Sequence, residues 1–167
     1  MDSTAEERVE AALDRAAAHC AARGAKLTEL RRRVLALILE SPVPLGAYAL
    51  LDRLKTTHAG AAPPTVYRAL EFLTEHRLVH RIERLNAFIG CNVGCSDACD
   101  AHGHAGHEHA HAAQFLICGE CGAVEEIEDD AVGSALAAAA RRAGFAPARA
   151  TVEVEGTCRG CAADQPA

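Results

Sequence analysis

The chain has 167 residues, half of them apolar, and a net charge of −6 at pH 7. That length suffices for one ordinary domain or two small ones, and the acidic balance argues weakly against a nucleic-acid-binding protein. No apolar run approaches the roughly 18 residues that a transmembrane helix needs, and the charged, amphipathic N-terminus lacks the apolar core of a secretory signal. We therefore expect a cytosolic protein without a membrane partner, in which spaced cysteines are metal ligands or redox groups rather than disulfides.

Charge and cysteine are distributed unevenly along the chain. Residues 1–90 carry 13 basic and 11 acidic side chains, whereas residues 91–167 carry 4 and 12. Of the eight cysteines, only Cys20 lies in the first half. This asymmetry predicts two modules with separate functions, and the slightly positive first half is compatible with DNA binding.

Apolar residues at helical spacing predict four helices in the first half of the chain. They cover residues 5–22, about 28–40, 45–55 and a segment that opens with Pro63. Gly24 is expected to end the first helix, and Thr28 to cap the second. The third helix is predicted to bury Tyr48, Leu51 and Leu54.

Two short alternating segments follow the fourth helix. LVHRIE and AFIGC, on either side of Leu85 and Asn86, predict the strands of a small hairpin. Helices packed around a short turn and followed by a hairpin are typical of a winged helix-turn-helix. In that architecture the helix from Pro63 would enter the major groove of DNA.

The second half begins with a segment of unusual composition. Residues 92–110 have no periodicity and are rich in Gly, Ala, Asp and His, so we predict a flexible insertion. QFLIC and AVEEIE then predict two strands around a CGEC turn, residues 129–143 an alanine-rich helix, and residues 148–155 a third strand. The whole chain is therefore predicted to be α+β, with a helical DNA-binding module and a small α/β module.

Two C-x-x-C pairs are the strongest chemical signal in the sequence. They are Cys118–Cys121 and Cys158–Cys161, separated by 36 residues. Two residues between cysteines let a tight turn aim both sulfurs at one ion, and four thiolates form the tetrahedral shell of a structural zinc site. A redox C-x-x-C is the alternative, but such motifs normally occur singly and in a thioredoxin-like βαβ pattern that this chain lacks.

KLTELRRRVL and PPTVYRALEFLTEHRLVHRIE, together with the two cysteine pairs, resemble the ferric uptake regulator (Fur) family. Within it, PPTVYRALEFL followed by LVHRIERLNAFIGC is similar to the zinc uptake regulator (Zur) branch. The resemblance covers about residues 8–161 except the insertion, and departs at Glu29 and Leu30, where the family usually has Pro-Gln. It implies a winged-helix DNA-binding domain at 1–85, a hinge at 86–91, the insertion at 92–110, and a dimerisation domain at 111–167.

The resemblance also implies a regulatory zinc site between the domains, with His80, Cys91, His111 and Glu126 as ligands. Two imidazoles, one thiolate and one carboxylate suit tetrahedral zinc, whereas a site without a thiolate would better suit iron or manganese. Neighbouring residues could replace two of these four ligands, Glu126 and His111. Glu125 would point to the opposite face of its strand from Glu126, and two further histidines precede His111 on the same loop, His107 and His109.

Each regulatory ligand also has a purely structural interpretation. His80 alone could be an ordinary strand histidine, and Cys91 a small buried apolar residue. Glu126 lies in EEIEDD, where a solvated acidic run is common. The joint presence of all four residue types favours the metal site.

The insertion carries six further potential ligands: Cys95, Cys99, His102, His104, His107 and His109. A third zinc site could use two to four of them. We favour a weakly chelating tract without fixed geometry, since ordering so glycine-rich a loop costs conformational entropy.

Four residues are predicted to contact DNA. Tyr67 and Arg68 lie early on the predicted recognition helix, where arginine can bind a guanine edge and tyrosine a phosphate or a thymine methyl. The resemblance implies a DNA-contacting role for this pair. Thr65 and Arg31 are predicted as further contacts, since Arg31, Arg32 and Arg33 on the second helix could include phosphate contacts. Tyr67 could instead pack partly in the core, and at least one arginine of the second helix could be merely solvated.

These observations predict a zinc-responsive repressor that binds palindromic operator DNA as a homodimer and holds at least two Zn²⁺ per chain. The resemblance implies that its targets are genes for zinc uptake. The alternatives are a regulator of the same fold that responds to another metal or to peroxide, and a zinc store that uses the histidine-rich loop. An enzyme with a small-molecule substrate is not expected, because the cysteines have metal-ligand spacing and no glycine-rich phosphate loop is present.

Overall fold

The computed structural model describes residues 3–91, 113–147 and 150–163. The chain divides into two compact units, Met1–Ala101 and His102–Ala167. Within the described residues, no helix is both long enough and apolar enough to cross a membrane.

The first unit contains the four predicted helices, α1 (Ser3–Ala22), α2 (Glu29–Leu39), α3 (Ala47–Lys55) and α4 (Pro63–Glu75). Gly24 has a φ of +69°, a left-handed conformation that glycine adopts without strain, and it ends α1 as predicted. Thr28 holds the N-cap position of α2 in an extended conformation, although its side chain makes no capping hydrogen bond.

Helix α2 lies at the centre of the first unit. Five successive residues, Val34 to Ile38, are buried, so the second half of the helix is apolar on nearly all sides, and the helix is packed by α1, α3, α4 and the sheet. Leu54 and Leu73, both fully buried, contribute from α3 and α4. Each such leucine stabilises the fold by about 1.5–3 kcal/mol relative to an exposed position.

The prediction for Tyr48 was wrong. Leu51 and Leu54 are buried, but the Tyr48 side chain is 70% exposed. The helical register explains the error, because Leu50, Leu51 and Leu54 form the buried stripe of α3 and Tyr48 lies outside it.

A three-stranded antiparallel sheet completes the first unit. Its strands are β1 (Leu45–Gly46), β2 (Val79–Ile82) and β3 (Ala87–Gly90), in the order β1-β3-β2. Leu45 and Gly46, predicted as the start of the third helix, instead pair with Phe88 and Ala87. Asn86, with a φ of +47°, forms the turn between β2 and β3. The segment 86–91, implied to be a hinge, thus contributes strand β3 to this sheet, and the implied domain boundaries stay predictions.

The second unit contains β4 (Ala113–Cys118), β5 (Val124–Ile127), α5 (Asp130–Arg142), β6 (Thr151–Gly156) and α6 (Arg159–Ala163). Strand β4 is central, antiparallel to β5 and parallel to β6. A parallel pair needs a crossover connection, and α5 lies in that connection. The Asp129 carboxylate caps α5 by accepting hydrogen bonds from the N–H groups of Ala131 and Val132.

Candidate metal centres and nucleic-acid interface

The two C-x-x-C pairs meet at one edge of the second sheet. Cys118 is the last residue of β4, and Cys158 follows the end of β6. Because β4 and β6 are parallel neighbours, with Cys118 opposite Gly156, their carboxyl ends lie side by side. Strand direction therefore brings together cysteines that are 40 residues apart in sequence.

Cys118, Cys121, Cys158 and Cys161 form what we call the four-cysteine cluster. Their sulfur atoms all lie within 4.8 Å of one another, and Cys121 Sγ is 3.8 Å from Cys158 Sγ. A tetrahedral zinc site with metal–sulfur bonds of about 2.3 Å has sulfur–sulfur edges of about 3.8 Å. The four side chains therefore fit a tetrahedral thiolate site, and the Cys121–Cys158 separation is far longer than a disulfide bond of about 2.05 Å.

Backbone hydrogen bonds build the first knuckle of this cluster. Gly122 has a φ of +72°, and its N–H donates to the carbonyl of Cys118 at 3.0 Å. The Gly119 N–H donates to the carbonyl of Gly156 at 2.9 Å, which joins the knuckle to the end of β6. The glycines of CGECG thus allow the tight turn and tie it to the strand that leads to the second pair.

The thiols of the four-cysteine cluster differ in acidity. Hydrogen bonds from backbone N–H groups lower the pKa of Cys118 to about 6. The N–H of Cys158, 3.3 Å from Cys118 Sγ, has the largest effect, and that of Cys121 the next largest. Hydrogen bonding of the Cys161 thiol to the sulfurs of Cys158 and Cys121 raises the pKa of Cys161 to about 12. Neighbouring thiols resist ionising together without a cation, which is the electrostatic setting of a metal site.

His80 and Cys91 are brought together on the hairpin of the first unit, and we call them the wing pair. In the β2–β3 register His80 lies opposite Ile89, so Cys91 is its diagonal neighbour on the same face. The Cys91 N–H donates to the carbonyl of Leu78 at 3.1 Å, extending the pairing by one residue. The imidazole and the thiol offer ligand atoms within 4.8 Å of each other.

The remaining regulatory ligands are described only in part. Glu126 lies on β5 and is half-buried, whereas Glu125 is exposed and pairs with Leu116 on the other face. This alternation distinguishes the two glutamates as the sequence predicted. His111 lies outside the described residues, as do all six potential ligands of the insertion: Cys95, Cys99, His102, His104, His107 and His109.

Helix α4 presents polar side chains away from the core. Val66, Ala69, Leu70 and Leu73 form its buried stripe. Tyr67 is 51% exposed and Arg68 is exposed. Thr65 is half-buried, and its hydroxyl accepts a hydrogen bond from the N–H of Ala62 at 3.5 Å, at the start of the helix. Tyr67 and Arg68 are therefore available to a partner, and Thr65 has a structural role at the helix start.

Arg31 has structural contacts that the sequence did not indicate. Its guanidinium carbon lies 3.6 Å from the centroid of the Phe72 ring on α4, and its Nη1 donates to the carbonyl of Lys26 at 2.8 Å. Such a cation–π contact joins α2 to α4. The Phe72 ring also stacks on His76, with centroids 4.0 Å apart.

Arg32, the next residue of α2, serves a different purpose. Its Nη2 bonds Glu10 at 2.6 Å and Asp14 at 2.9 Å, both on α1. The hydrogen bonds to Asp14 and Glu10 raise its pKa. Arg32 therefore attaches α1 to α2.

Tyr48 is a candidate interface residue that sequence reasoning missed. The chain has only two tyrosines, and both are largely exposed on helices of the first unit, Tyr48 at 70% and Tyr67 at 51%. Large exposed aromatic side chains are enriched where a protein meets a partner. The signal in the sequence was the three-leucine stripe of α3, which leaves Tyr48 outside the core.

Comparison with known proteins gives a consistent family assignment. The model of the ferric uptake regulator family matches residues 22–155. The zinc uptake regulation protein of Escherichia coli strain K12 is 35% identical over 142 residues, covering 85% of this chain and 76% of that protein.

Two solved structures agree with that assignment. The crystal structure of holo XcZur is 40% identical with a TM-score of 0.74, covering 90% of this chain and 96% of its own. A zinc uptake regulator complexed with zinc and DNA is 32% identical with a TM-score of 0.78, covering 97% of both chains. These likenesses confirm the predicted α+β class, and this chain belongs to the ferric uptake regulator family, in its zinc uptake regulator branch.

Proposed function

We propose that this chain is a zinc-responsive transcriptional repressor that acts in the cytoplasm. As a homodimer with its regulatory site filled, it binds palindromic operator DNA and controls genes for zinc uptake. The observation that carries the proposal is the wing pair, a thiol and an imidazole on one face of the hairpin that follows the exposed helix α4. The similar zinc uptake regulator whose structure holds zinc and DNA supports it.

The chain is proposed to bind at least two zinc ions, with different tasks. The four-cysteine cluster would hold the structural ion, because its four sulfurs have tetrahedral spacing and come from both ends of the second unit's sequence. A closed four-thiolate site has no open coordination position, so it stabilises a fold rather than reporting small changes in free zinc.

The regulatory ion is proposed to be held by His80, Cys91, His111 and Glu126. Cys91 is the ligand that selects zinc, because a thiolate disfavours iron and manganese relative to zinc. Bound zinc would supply a tetrahedral cross-link between the wing and ligand residues of the second unit. The chain's own part is to preset two of the four ligands on one hairpin, which lowers the entropic cost of forming the site.

DNA contact is proposed for Tyr67, Arg68, Thr65 and Arg31, with Tyr48 as a further candidate. Arg68 has the reach and the donors for a guanine edge, and the two exposed tyrosines offer apolar rings and hydroxyls. Arg31 is held by the Phe72 ring and the Lys26 carbonyl, so any phosphate contact it makes starts from a preset geometry.

Homodimerisation is proposed for the second unit, which exposes several large apolar side chains. Leu116 and Val154 are adjacent in the β4–β6 register and 39% and 50% exposed. Leu136 of α5 is 40% exposed and Phe145 is 73% exposed, and no residue of α5 is buried. A second copy of the chain is the partner that this proposal assigns to that surface.

The test is the Cys91→Ser variant, compared with wild type for operator binding at buffered free zinc. Loss of the selective ligand should abolish the zinc-dependent gain in affinity, which for coupled sites is typically about 5- to 150-fold, while the dimer and one zinc per chain remain. Fluorescence anisotropy gives the affinities, sedimentation the oligomeric state, and elemental analysis the zinc content.

The matched control is Cys20→Ala, which alters a buried cysteine of the same unit that is not a proposed ligand. It should respond to zinc as the wild type does. An unchanged zinc response in Cys91→Ser would contradict the sensing role, and a stronger response to iron or manganese than to zinc would favour the alternative regulator of another metal.

A further inference from the structure

Strand β3 is clamped against α2 at the residue before Cys91. Gly90 is buried, and a Cβ atom built on it would lie 2.5 Å from Cδ2 of Leu39, the last residue of α2. That separation is far below the contact distance of two carbon atoms, about 3.5–4.0 Å. An alanine at position 90 would require a shift of either the Leu39 side chain, whose Cδ2 is the end of a flexible group, or the strand itself.

The alternation of side chains in β3 relates this contact to the wing pair. Gly90 and Cys91 are successive residues, so the side that Gly90 offers to Leu39 is opposite the side on which Cys91 points. Cys91 in turn shares its face with His80. The closeness of the strand to α2 therefore sets the position from which the Cys91 sulfur projects towards the imidazole.

From this geometry we infer that Gly90 and Leu39 are positioning residues for the regulatory metal site, holding Cys91 at metal-binding distance from His80. The inference rests on the proposed regulatory function. Moving β3 away from α2 shifts the Cys91 backbone and separates the two ligands, although neither Gly90 nor Leu39 can bind a metal.

A second part of the structure gives this contact a consequence for DNA binding. Leu39 ends α2, the same helix that carries Arg31 over the Phe72 ring of α4. The positioning contact thus joins the ligand strand to a helix that packs against the buried stripe of α4, whose opposite face is exposed.

The experiment uses Co²⁺ as the probe in the full-length protein with its structural zinc in place. A thiolate-containing tetrahedral site gives Co²⁺ ligand-to-metal charge-transfer and d–d absorption, which reports the wing pair's geometry as well as affinity. Gly90→Ala should weaken Co²⁺ binding about 10- to 100-fold, the effect typical of altering groups that support metal ligands, and should change the spectrum.

The discriminating variant is the double mutant Gly90→Ala/Leu39→Ala. Removing the Leu39 methyl groups makes room for the new Cβ, so affinity and spectrum should return towards wild type, which a general loss of stability would not allow. The matched control is Gly46→Ala in the same sheet, where a Cβ would meet only the Asn86 carbonyl oxygen at an ordinary 3.8 Å. It should bind Co²⁺ as the wild type does.

Wild-type Co²⁺ affinity in Gly90→Ala, or no recovery in the double mutant, overturns the inference. If Gly90→Ala does not fold, Leu39→Ala alone carries the test. Leu39→Ala removes the side chain that contacts β3, so it should weaken Co²⁺ binding a few-fold. Unchanged binding again overturns the inference.

Cys91→Ser distinguishes failure of the proposed function from failure of the positioning role. If Cys91→Ser keeps the regulatory Co²⁺ site, the proposed function itself fails. If Cys91→Ser loses the site while Gly90→Ala keeps it, only the positioning role fails.

Discussion

At the residue scale, the ionisation of individual thiols decides how the four-cysteine cluster exchanges protons for metal. Ionised Cys118, with its pKa lowered to about 6, favours the fold above the ordinary thiol pKa, and this contribution is lost as pH falls through 6. The shift at Cys161 has the opposite sign. Its contribution is present below the ordinary thiol pKa and is lost as pH rises through about 12.

This difference predicts how many protons leave when the structural site fills. At pH 7.5 Cys118 is already a thiolate, while Cys161 is protonated, so zinc uptake by the metal-free protein should release fewer than four protons per structural site but at least one. At pH 5.5, below the pKa of Cys118, the release should rise. Calorimetry in buffers of different ionisation enthalpy measures these protons.

The measurement is made on the Cys91→Ser protein, which lacks the proposed regulatory site, so that the released protons come from the structural site. Release of four protons per ion at both pH values would show that Cys118 is not ionised before metal binding.

At the element scale, helix α4 is packed against the core on one face and exposed on the opposite face. Its buried stripe packs on α2 and α3, while Phe72 is covered by Arg31 and stacked on His76. The two neighbouring arginines of α2 divide the structural work, since Arg31 supports α4 and Arg32 attaches α1. A helix supported this way can present Arg68 to a partner without losing its own packing.

The division predicts different consequences for arginine substitutions. Arg68→Ala should weaken operator binding by about 1–3 kcal/mol and relax the preference for the matched base, because the lost donors read a base edge. Arg32→Ala is the matched control. It removes the same positive charge, but from a side chain that forms ion pairs with Glu10 and Asp14 on α1. It should lower thermal stability slightly and leave operator discrimination unchanged.

Each protein is titrated with the operator and with single-base variants of the operator, at two salt concentrations. These titrations distinguish a lost base contact from a small loss of stability. If Arg68→Ala keeps the wild-type discrimination between operators, the exposed face of α4 is not the one that reads bases.

At the scale of the whole molecule, each unit supplies one half of the proposed function. The first unit combines the exposed helix face with the wing pair. The second unit combines the four-cysteine cluster with exposed apolar surface on β4, β6 and α5. In the sequence, residues 92–110 form the histidine- and cysteine-rich insertion, whose potential ligands the proposed repressor does not need.

Removing residues 95–110 therefore separates a regulator from a zinc store. The shortened protein keeps Cys91 and His111, so it should retain zinc-dependent operator binding while taking up less zinc at excess metal. Operator affinity at buffered zinc and total zinc per chain are the measurements.

A full-length variant with His102, His104, His107 and His109 changed to alanine controls for loop length. If this variant loses regulation, one of these histidines takes the place assigned to His111.

How much could be read from the sequence depends on the range of the interactions involved. Helical spacing and glycine positions are local, so the four helices of the first unit, the Gly24 stop and the alanine-rich helix of the second unit were predicted, whereas the Asp129 cap was not. The C-x-x-C spacing is equally local and predicted each knuckle. Tyr48 was misplaced because a residue at a helix start lies near the edge of an apolar stripe, and the prediction did not use Leu50, which with Leu51 and Leu54 defines the buried side.

By itself, the sequence determined most element types, the family and the residue types able to bind a metal, because these follow from short-range patterns. Only the tertiary structure decided which of them meet. The parallel pairing of β4 with β6 brings the two knuckles to one edge, and the β2–β3 register makes His80 and Cys91 neighbours. The contacts of Arg31 with Phe72 and of Leu39 with Gly90 likewise appear only after folding, because such distances depend on how separate elements pack, which no local pattern encodes.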